Sequence, residues 1–162
     1  MATKTAATKP AKTKAIPDGY HSVTPYLIID GAARALDFYK RAFDAKELMR
    51  VPSPGDKIGH AEIKIGDSVI MLADEHPEMD ARSPAHYGGS PVSIMIYLAD
   101  VDKQFKQALA AGATEVRPVA DQFYGDRSGT LKDPFGHSWH LSTHKEDVSM
   151  EELHRRMAAL KK

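Results

Sequence analysis

The sequence predicts an α+β domain in which one βαβββ unit occurs twice. From Tyr20 onward, segments with strand-like and helix-like apolar periodicity alternate. In addition, AFDAKEL at 42–48 matches AAGATEV at 110–116, and GDSVIMLAD at 66–74 corresponds to GHSWHLSTH at 136–144, about 69 residues later. An internal repeat of this size predicts two similar, curved, mixed half-sheets that pack together around a cleft.

The first unit begins with residues 23–30 (VTPYLIID), which are rich in the β-branched and aromatic residues of strands. Asp30 can then cap a helix. Residues 57–74 contain two strand-like runs separated by Gly66-Asp67, a hairpin signal. The predicted helix has apolar residues at helical spacing: Ala32, Ala35, Leu36, Tyr39 and Phe43.

Five Pro and Gly residues within 76–91 mark a linker before the second unit. Residues 92–99 predict a strand, Asp100 an N-cap and Gly112 the end of a helix. The apolar positions of this helix are Val101, Phe105, Ala108 and Leu109. A strand region begins at Val116, and a second hairpin turns at DPFG, residues 133–136.

The domain boundaries follow from composition. Residues 1–17 carry four Lys and almost no bulky apolar side chain, which predicts a disordered basic tail. Residues 18–145 form a single domain, with repeat one at about 20–75, the linker at 76–91 and repeat two at about 92–145. Residues 146–162 predict an amphipathic C-terminal helix that starts with Ser149 and Glu152 at capping-box spacing and packs on the body or on a second subunit.

Composition excludes several function classes. Lys plus Arg and Asp plus Glu are both 22 among 162 residues, so the chain lacks the positive surplus that favours nucleic acid as a partner. It contains no apolar run long enough to span a membrane and no secretory h-region, which predicts a cytoplasmic protein. Because Cys is absent, chemistry would depend on His, carboxylates, hydroxyls or the backbone.

Three blocks resemble a known family: YHSVTPYLIIDGAARALDFYKRAF, GHAEIKIGDSVIMLADE and DQFYGDRSGTLKDPFGHSWHLSTHKEDVS. Over about residues 18–157 the chain is similar to the vicinal oxygen chelate superfamily, within it most to the PhnB-like branch of the glyoxalase and bleomycin-resistance proteins. The resemblance implies eight strands in two curved half-sheets, a homodimer, and a ligand or metal in the concave cleft. It does not imply one reaction, because the fold hosts lyases, isomerases, dioxygenases and metal-free drug-binding proteins.

The resemblance also assigns the usual metal positions. Metal-dependent members take His and Glu ligands from four concave strand positions, which here hold Thr24, Met71, Ser93 and His140. One imidazole does not make a site for Mn, Fe, Ni or Zn, so no cofactor is predicted. The alternative is a divalent metal held by a reorganised set of His60, Glu62 and His140.

Strand alternation predicts the residues of the cleft. Arg127 could hold a carboxylate or phosphonate with help from Tyr124 and Asp126, although Arg beside Asp is also typical of a structural ion pair. Trp139 has the opposite parity, which predicts a core position. The predicted ligand-binding cleft comprises Thr24, Tyr26, His60, Met71, Ser93, Met95, Tyr97, Tyr124, Arg127 and His140.

Two functions remain open on the sequence. The first is a protein that binds a small molecule in the cleft without the usual metal site, and the second is a metal-dependent lyase, isomerase or dioxygenase-like enzyme with a site around His60 and His140. Whether the chain is an enzyme, and whether the half-sheets pair within one chain or swap between two chains of a homodimer, is left open.

Overall fold

The computed structural model describes residues 13–160, which contain eight strands and three α-helices. Two short 3-10 helices, Pro77–Met79 and Pro84–Tyr87, lie in the linker. The elements are β1 (Tyr26–Ile29), α1 (Ala32–Phe43), β2 (Lys46–Ser53), β3 (Lys57–Ile65), β4 (Ser68–Asp74), β5 (Ser93–Tyr97), α2 (Val101–Ala111), β6 (Thr114–Asp121), β7 (Asp126–Lys132), β8 (Ser138–His144) and α3 (Met150–Ala159).

The strands form two four-stranded mixed sheets with the same topology. The first has the order β1-β4-β3-β2 and the second β5-β8-β7-β6. In each, the first strand is parallel to the last, and the remaining pairs are antiparallel. Leu27 pairs with Leu72 and, 69 residues later in both strands, Ile96 pairs with Leu141. The predicted α+β fold with a duplicated βαβββ unit is therefore confirmed, and the two sheets do not close into a barrel.

One hydrophobic core joins the two halves. Helices α1 and α2 pack against each other, and the Gln104 side chain of α2 donates to the carbonyl of Ala42 at the end of α1. Trp139 of β8 is fully buried, with its ring centroid 4.7 Å from that of Phe43 and 5.3 Å from that of Tyr39. The predicted core position of Trp139 is confirmed, and helix α1 of the first half covers a strand of the second.

A buried carboxylate lies at the centre of this junction. Asp133, in the β7–β8 turn, is only 4% exposed. Its Oδ2 accepts hydrogen bonds from the Tyr39 hydroxyl at 2.8 Å and the Trp139 indole nitrogen at 2.9 Å. Its Oδ1 accepts from the backbone N–H groups of Phe135 and His137. Four donors thus compensate the burial of one charge and tie α1 to β8.

The start of α1 differs from the prediction. Gly31, not Asp30, occupies the N-cap position. Because glycine has no side chain, the N-cap residue makes no side-chain hydrogen bond to the helix. The free N–H groups of Gly31 and Ala32 donate instead to Asp74 Oδ1, at the end of the neighbouring β4, while Asp74 Oδ2 accepts from Ile58. A carboxylate distant in sequence therefore replaces the expected local cap.

The start of α2 follows the prediction. The Asp100 carboxylate accepts from the N–H of Lys103, and Gly112 ends the helix with φ +116°. Both predicted hairpins are present, between β3 and β4 and between β7 and β8.

The chain ends are only partly described. The predicted tail lies mostly outside the described residues, since only 13–17 belong to them. Helix α3 is capped by Ser149 as predicted, but Glu152 bonds to Arg155 and Arg156 and does not complete the capping box. Met150, Met157 and Leu160 are exposed in this single chain, so these residues do not pack on the body, and packing of the helix on a second subunit stays a prediction. Within 13–160, no helix has the length and apolar character needed to cross a membrane.

The Asp133 cluster makes a stability prediction. Asp133→Asn replaces an acceptor oxygen with an amide donor that faces two other donors, so we expect unfolding free energy to fall by about 3 kcal/mol in urea denaturation. The matched control is Asp37→Asn, a largely exposed carboxylate on α1, for which we expect a change below about 0.5 kcal/mol. Equal effects of the two substitutions would contradict the assigned role.

Candidate functional site

A chain of four polar side chains crosses the face of the first sheet that points away from α1, which is the face predicted to be concave. The Tyr26 hydroxyl lies 2.9 Å from His60 Nδ1, and His60 Nε2 lies 3.2 Å from Glu62 Oε1. The Tyr20 hydroxyl donates to the other carboxylate oxygen, Oε2. His60 and Glu62 share a face because they are two residues apart on β3, while Tyr26 reaches them from β1.

These contacts shift the acidities of the chain. The hydrogen bond from the Tyr20 hydroxyl, supported by His60, holds the pKa of Glu62 below its usual value, although burial opposes the shift. The same bond raises the pKa of Tyr20, and burial raises that of Tyr26. At neutral pH this face therefore presents an ionised Glu62 carboxylate held by two donors, Tyr20 and His60. The Tyr26 hydroxyl lies at the opposite end of the chain from Tyr20.

The second sheet carries a different polar arrangement at related positions. Met95 of β5 lies beside His140 of β8, and the Thr130 hydroxyl lies 2.9 Å from His140 Nδ1. Nearer the end of the sheet, the Asp126 carboxylate is bonded by three side chains on its own sheet. They are the Tyr97 hydroxyl at 3.2 Å, the Ser142 hydroxyl at 2.9 Å and His144 Nδ1 at 2.8 Å.

Asp126 is buried, and burial alone would raise its pKa. The bonds from His144, Ser142 and Tyr97 outweigh burial and hold its pKa below the usual value. In return, hydrogen bonds to Asp126 and, to a lesser extent, Asp147 raise the pKa of His144. Its Nδ1 contacts Asp126, and its Nε2 contacts Asp147. This cluster fixes the end of β8 to the segment that follows it.

A pocket of about 490 Å³ lies between the edges of β1 and β5, where the two halves meet. It brings together three of the predicted cleft residues, Tyr26, Ser93 and Met95, and adds His137. The pocket is open, since Tyr26 is 49% and Met95 46% exposed. Its remaining lining residues are Pro25, Leu27, Ser90, Val92 and Ile94.

His137 is the only described residue with a buried side-chain polar atom that has no hydrogen-bond partner, at Nδ1. Its nearest charged neighbour is Asp133 Oδ2, at 3.7 Å. Burial lowers the pKa of His137 more strongly than Asp133 raises it, so the imidazole is held toward its neutral form. The pocket wall thus contains a neutral ring beside the junction carboxylate.

The other predicted cleft residues are distributed over both sheets. Met71 lies between Tyr26 and Glu62 in register, and Tyr97 bonds to Asp126. Tyr124 precedes β7 and contacts Ser128 with its hydroxyl. Thr24 lies before β1, which is shorter than predicted and begins only at Tyr26.

The expected cleft position of Arg127 is wrong. Its guanidinium forms a two-pronged pair with Asp102 at the start of α2, at 2.7 and 2.8 Å, and a third bond to Asp121. Because Asp126 contacts the concave-face residue Tyr97, its neighbour Arg127 must project to the helix side. The contacts show that Arg127 forms a structural ion pair.

The reorganised metal set does not assemble. Both ring nitrogens of His60 and both oxygens of Glu62 already contact polar groups on the first sheet, whereas His140 lies on the second sheet against Thr130. Across residues 13–160, no three His, Asp or Glu side chains are grouped closely enough to hold an ion. In the arrangement described here, His60, Glu62 and His140 therefore do not form a three-ligand site for a divalent metal.

Comparison with known proteins places this fold. Residues 20–141 match the sequence model of the Glyoxalase/Bleomycin resistance protein/Dioxygenase superfamily. The chain belongs to this superfamily. An uncharacterized protein of Mycobacterium tuberculosis is 44% identical over 141 residues, which are 85% of this chain and 83% of that protein.

Solved structures of other proteins have the same fold as this chain. TioX from a Micromonospora species is 27% identical, with a TM-score of 0.60 over 80% of this chain and 99% of that one. A protein of Pseudomonas aeruginosa is 25% identical, with a TM-score of 0.62 over 76% and 98%. The fosfomycin resistance protein FosX of Listeria monocytogenes, solved with Mn(II), is 18% identical over 83% and 94%, with a TM-score of 0.57, and shows the fold alone.

Sequence reasoning missed two residues of this superfamily member's concave side. Tyr20 precedes the first strand, and no periodicity connects it to Glu62. His137 lies in the turn before β8 begins, where strand alternation does not apply. The only available signal for His137 was its place directly after the predicted DPFG turn.

The Tyr20–Glu62 bond makes a pH prediction. Because folding lowers the pKa of Glu62, its contribution to stability is present above the unfolded pKa and is lost as pH falls through the folded value. In Tyr20→Phe the largest cause of the shift is gone, so the Glu62 pKa, followed by carboxyl-carbon NMR titration, should rise. Tyr87→Phe, an exposed hydroxyl, is the control. An unchanged titration in Tyr20→Phe would refute the assignment.

Proposed function

We propose that this protein binds a small, partly apolar molecule in the pocket between β1 and β5, without a metal. The observation that carries the proposal is the composition and place of this pocket, which lies where the two halves meet and takes cleft residues from both. Its volume of about 490 Å³ lies within the usual range of small-molecule sites.

The lining residues support a ligand with an apolar body and few polar groups. Leu27, Val92, Ile94 and Met95 supply apolar surface, and Met adapts readily to irregular shapes. Polar contacts would come from the Tyr26 hydroxyl, the Ser93 hydroxyl and the His137 ring. The Tyr26 hydroxyl is already oriented by His60, so it costs little to present it to a ligand.

The hydrogen bonds of the candidate metal ligands His60 and Glu62 favour small-molecule binding over metal-dependent catalysis. Turning His60 and Glu62 toward an ion would break their hydrogen bonds with Tyr26 and Tyr20 and leave those two hydroxyls without these partners. The PhnB-like affiliation suggested by the three sequence blocks is part of this proposal. So is a binding role of the kind that the name of the superfamily includes, bleomycin resistance.

We also propose that the protein acts as a homodimer. The concave faces and outer strands expose several large apolar side chains, an arrangement typical of surfaces that are covered in an assembly. A second copy is the proposed partner because the resemblance implies a homodimer. The exposed side chains are Tyr26, Met49, Val51, Met95, Tyr97 and Val116.

Dimerisation can be tested by sedimentation velocity. The wild-type protein should sediment as a dimer, and Met49→Glu with Val51→Lys should give a folded monomer, because charges oppose burial of the β2 face. The control pair Val23→Glu with Met79→Lys alters exposed apolar residues outside the strands and should leave the dimer intact. A monomeric wild type would contradict the homodimer.

The pocket can be tested with a library of neutral and cationic aromatic fragments, together with bleomycin, followed by amide chemical-shift mapping. We expect shifts at Tyr26, Ser93 and Met95, and Met95→Ala should weaken the best fragment about fivefold to tenfold through lost apolar contact. Met79→Ala, which alters a more exposed methionine outside the pocket, should leave affinity unchanged. Shifts confined to other surfaces, or no binding below about 1 mM, would overturn the proposal.

The absence of a required metal can be tested separately. Elemental analysis of tag-free protein should give far less than one metal per chain, and Mn, Fe, Ni, Co or Zn should not raise the melting temperature. One metal per chain that is lost in His60→Ala or His140→Ala would instead establish the metal-dependent alternative.

A further inference from the structure

A second cavity lies on the helix side of the fold, and we propose that it binds a small organic anion that carries a phosphate or carboxylate on a flat apolar body. The cavity has a volume of about 680 Å³ and lies between α1, the 3-10 helix Pro84–Tyr87 and the β7–β8 turn. It shares no lining residue with the β1–β5 pocket, so the inference does not depend on the function proposed above.

Three cationic side chains line this cavity: Arg34 and Arg41 of α1, and Lys132 at the end of β7. The two arginines are seven residues apart, which places them on one side of the helix at a separation of about 10 Å. Among residues 13–160, none of the three forms an ion pair. Five other described arginines do contact carboxylates: Arg50, Arg82, Arg127, Arg155 and Arg156.

Two carboxylates also line the cavity, but neither forms an ion pair with these cations. Both oxygens of Asp133 are already engaged by four donors from the core and the turn. Asp30 forms no ion pair with a described residue, and only its backbone carbonyl contacts Arg34, at 3.4 Å. The guanidinium groups, whose planar forks match phosphate and carboxylate oxygens, therefore remain available to a ligand.

The apolar part of the cavity explains why the ligand would be more than a bare anion. Phe38, Phe135, Pro84 and Pro134 lie along the wall. The guanidinium carbon of Arg34 is 6.0 Å from the centroid of the Phe135 ring, within cation–π range. A flat ligand can thus contact Pro and Phe side chains while its anionic group reaches an arginine.

The test uses the full chain and three probes: 1-naphthyl phosphate, 1-naphthol and inorganic phosphate. Calorimetry and amide shift mapping should show 1-naphthyl phosphate binding about tenfold or more tightly than either of the others, because only it has both recognition elements. The shifts should concentrate at Ala85, Gly88 and Gly136, and added salt should weaken binding.

Arg34→Gln and Arg41→Gln should each weaken 1-naphthyl phosphate about fivefold or more, since Gln keeps helix propensity but removes the charge. Arg117→Gln is the matched control, because Arg117 is an exposed arginine of β6 that forms no ion pair with described residues and lies outside the cavity. Equal affinity for 1-naphthol, equal loss in Arg117→Gln, shifts at Ser93 and Met95 instead, or no binding at about 1 mM would each overturn the inference.

Discussion

The relation between the two halves depends on the burial of one carboxylate. Asp133 is excluded from water, and an unpaired charge at that position would be very costly, so its environment must supply donors. Those donors come from α1 of the first half, from β8 of the second half and from the turn itself. Because these bonds connect the two halves, they help to hold the packing that leaves the pocket between β1 and β5.

The duplicated units keep one backbone plan but differ in side-chain chemistry. Glu62 in the first half and Thr130 in the second occupy corresponding places opposite Met71 and His140. The first half places its carboxylate in the middle of the concave face, bonded to His60 and Tyr20. The second places Asp126 at the end of the sheet, where it orders the following segment. The two halves therefore share a backbone arrangement, but the polar cluster around Glu62 has no counterpart among the described residues of the second half.

Charge is distributed unevenly between the two sides of the molecule. On the concave faces, carboxylates such as Glu62 and Asp126 are held ionised by hydroxyl and imidazole partners. On the helix side, Arg34 and Arg41 face an open cavity without carboxylate partners among the described residues. Since local fields at clefts are set by the nearest charges, the helix-side cavity should favour anions more than the β1–β5 pocket, which no described Lys or Arg lines, even though the whole chain has a formal net charge of zero.

Sequence patterns alone predict the repeat, the order of the elements, the hairpins, the caps at Asp100 and Ser149, and the core position of Trp139. Each of these depends on periodicity or on contacts within a few residues, which a sequence displays directly. The folded chain was needed to show that Asp74 replaces Asp30 at α1, that Arg127 pairs with Asp102, and that Tyr20 bonds to Glu62 while His137 lines the pocket. These are contacts between residues distant in the chain, or in turns where alternation fails, so no local pattern records them.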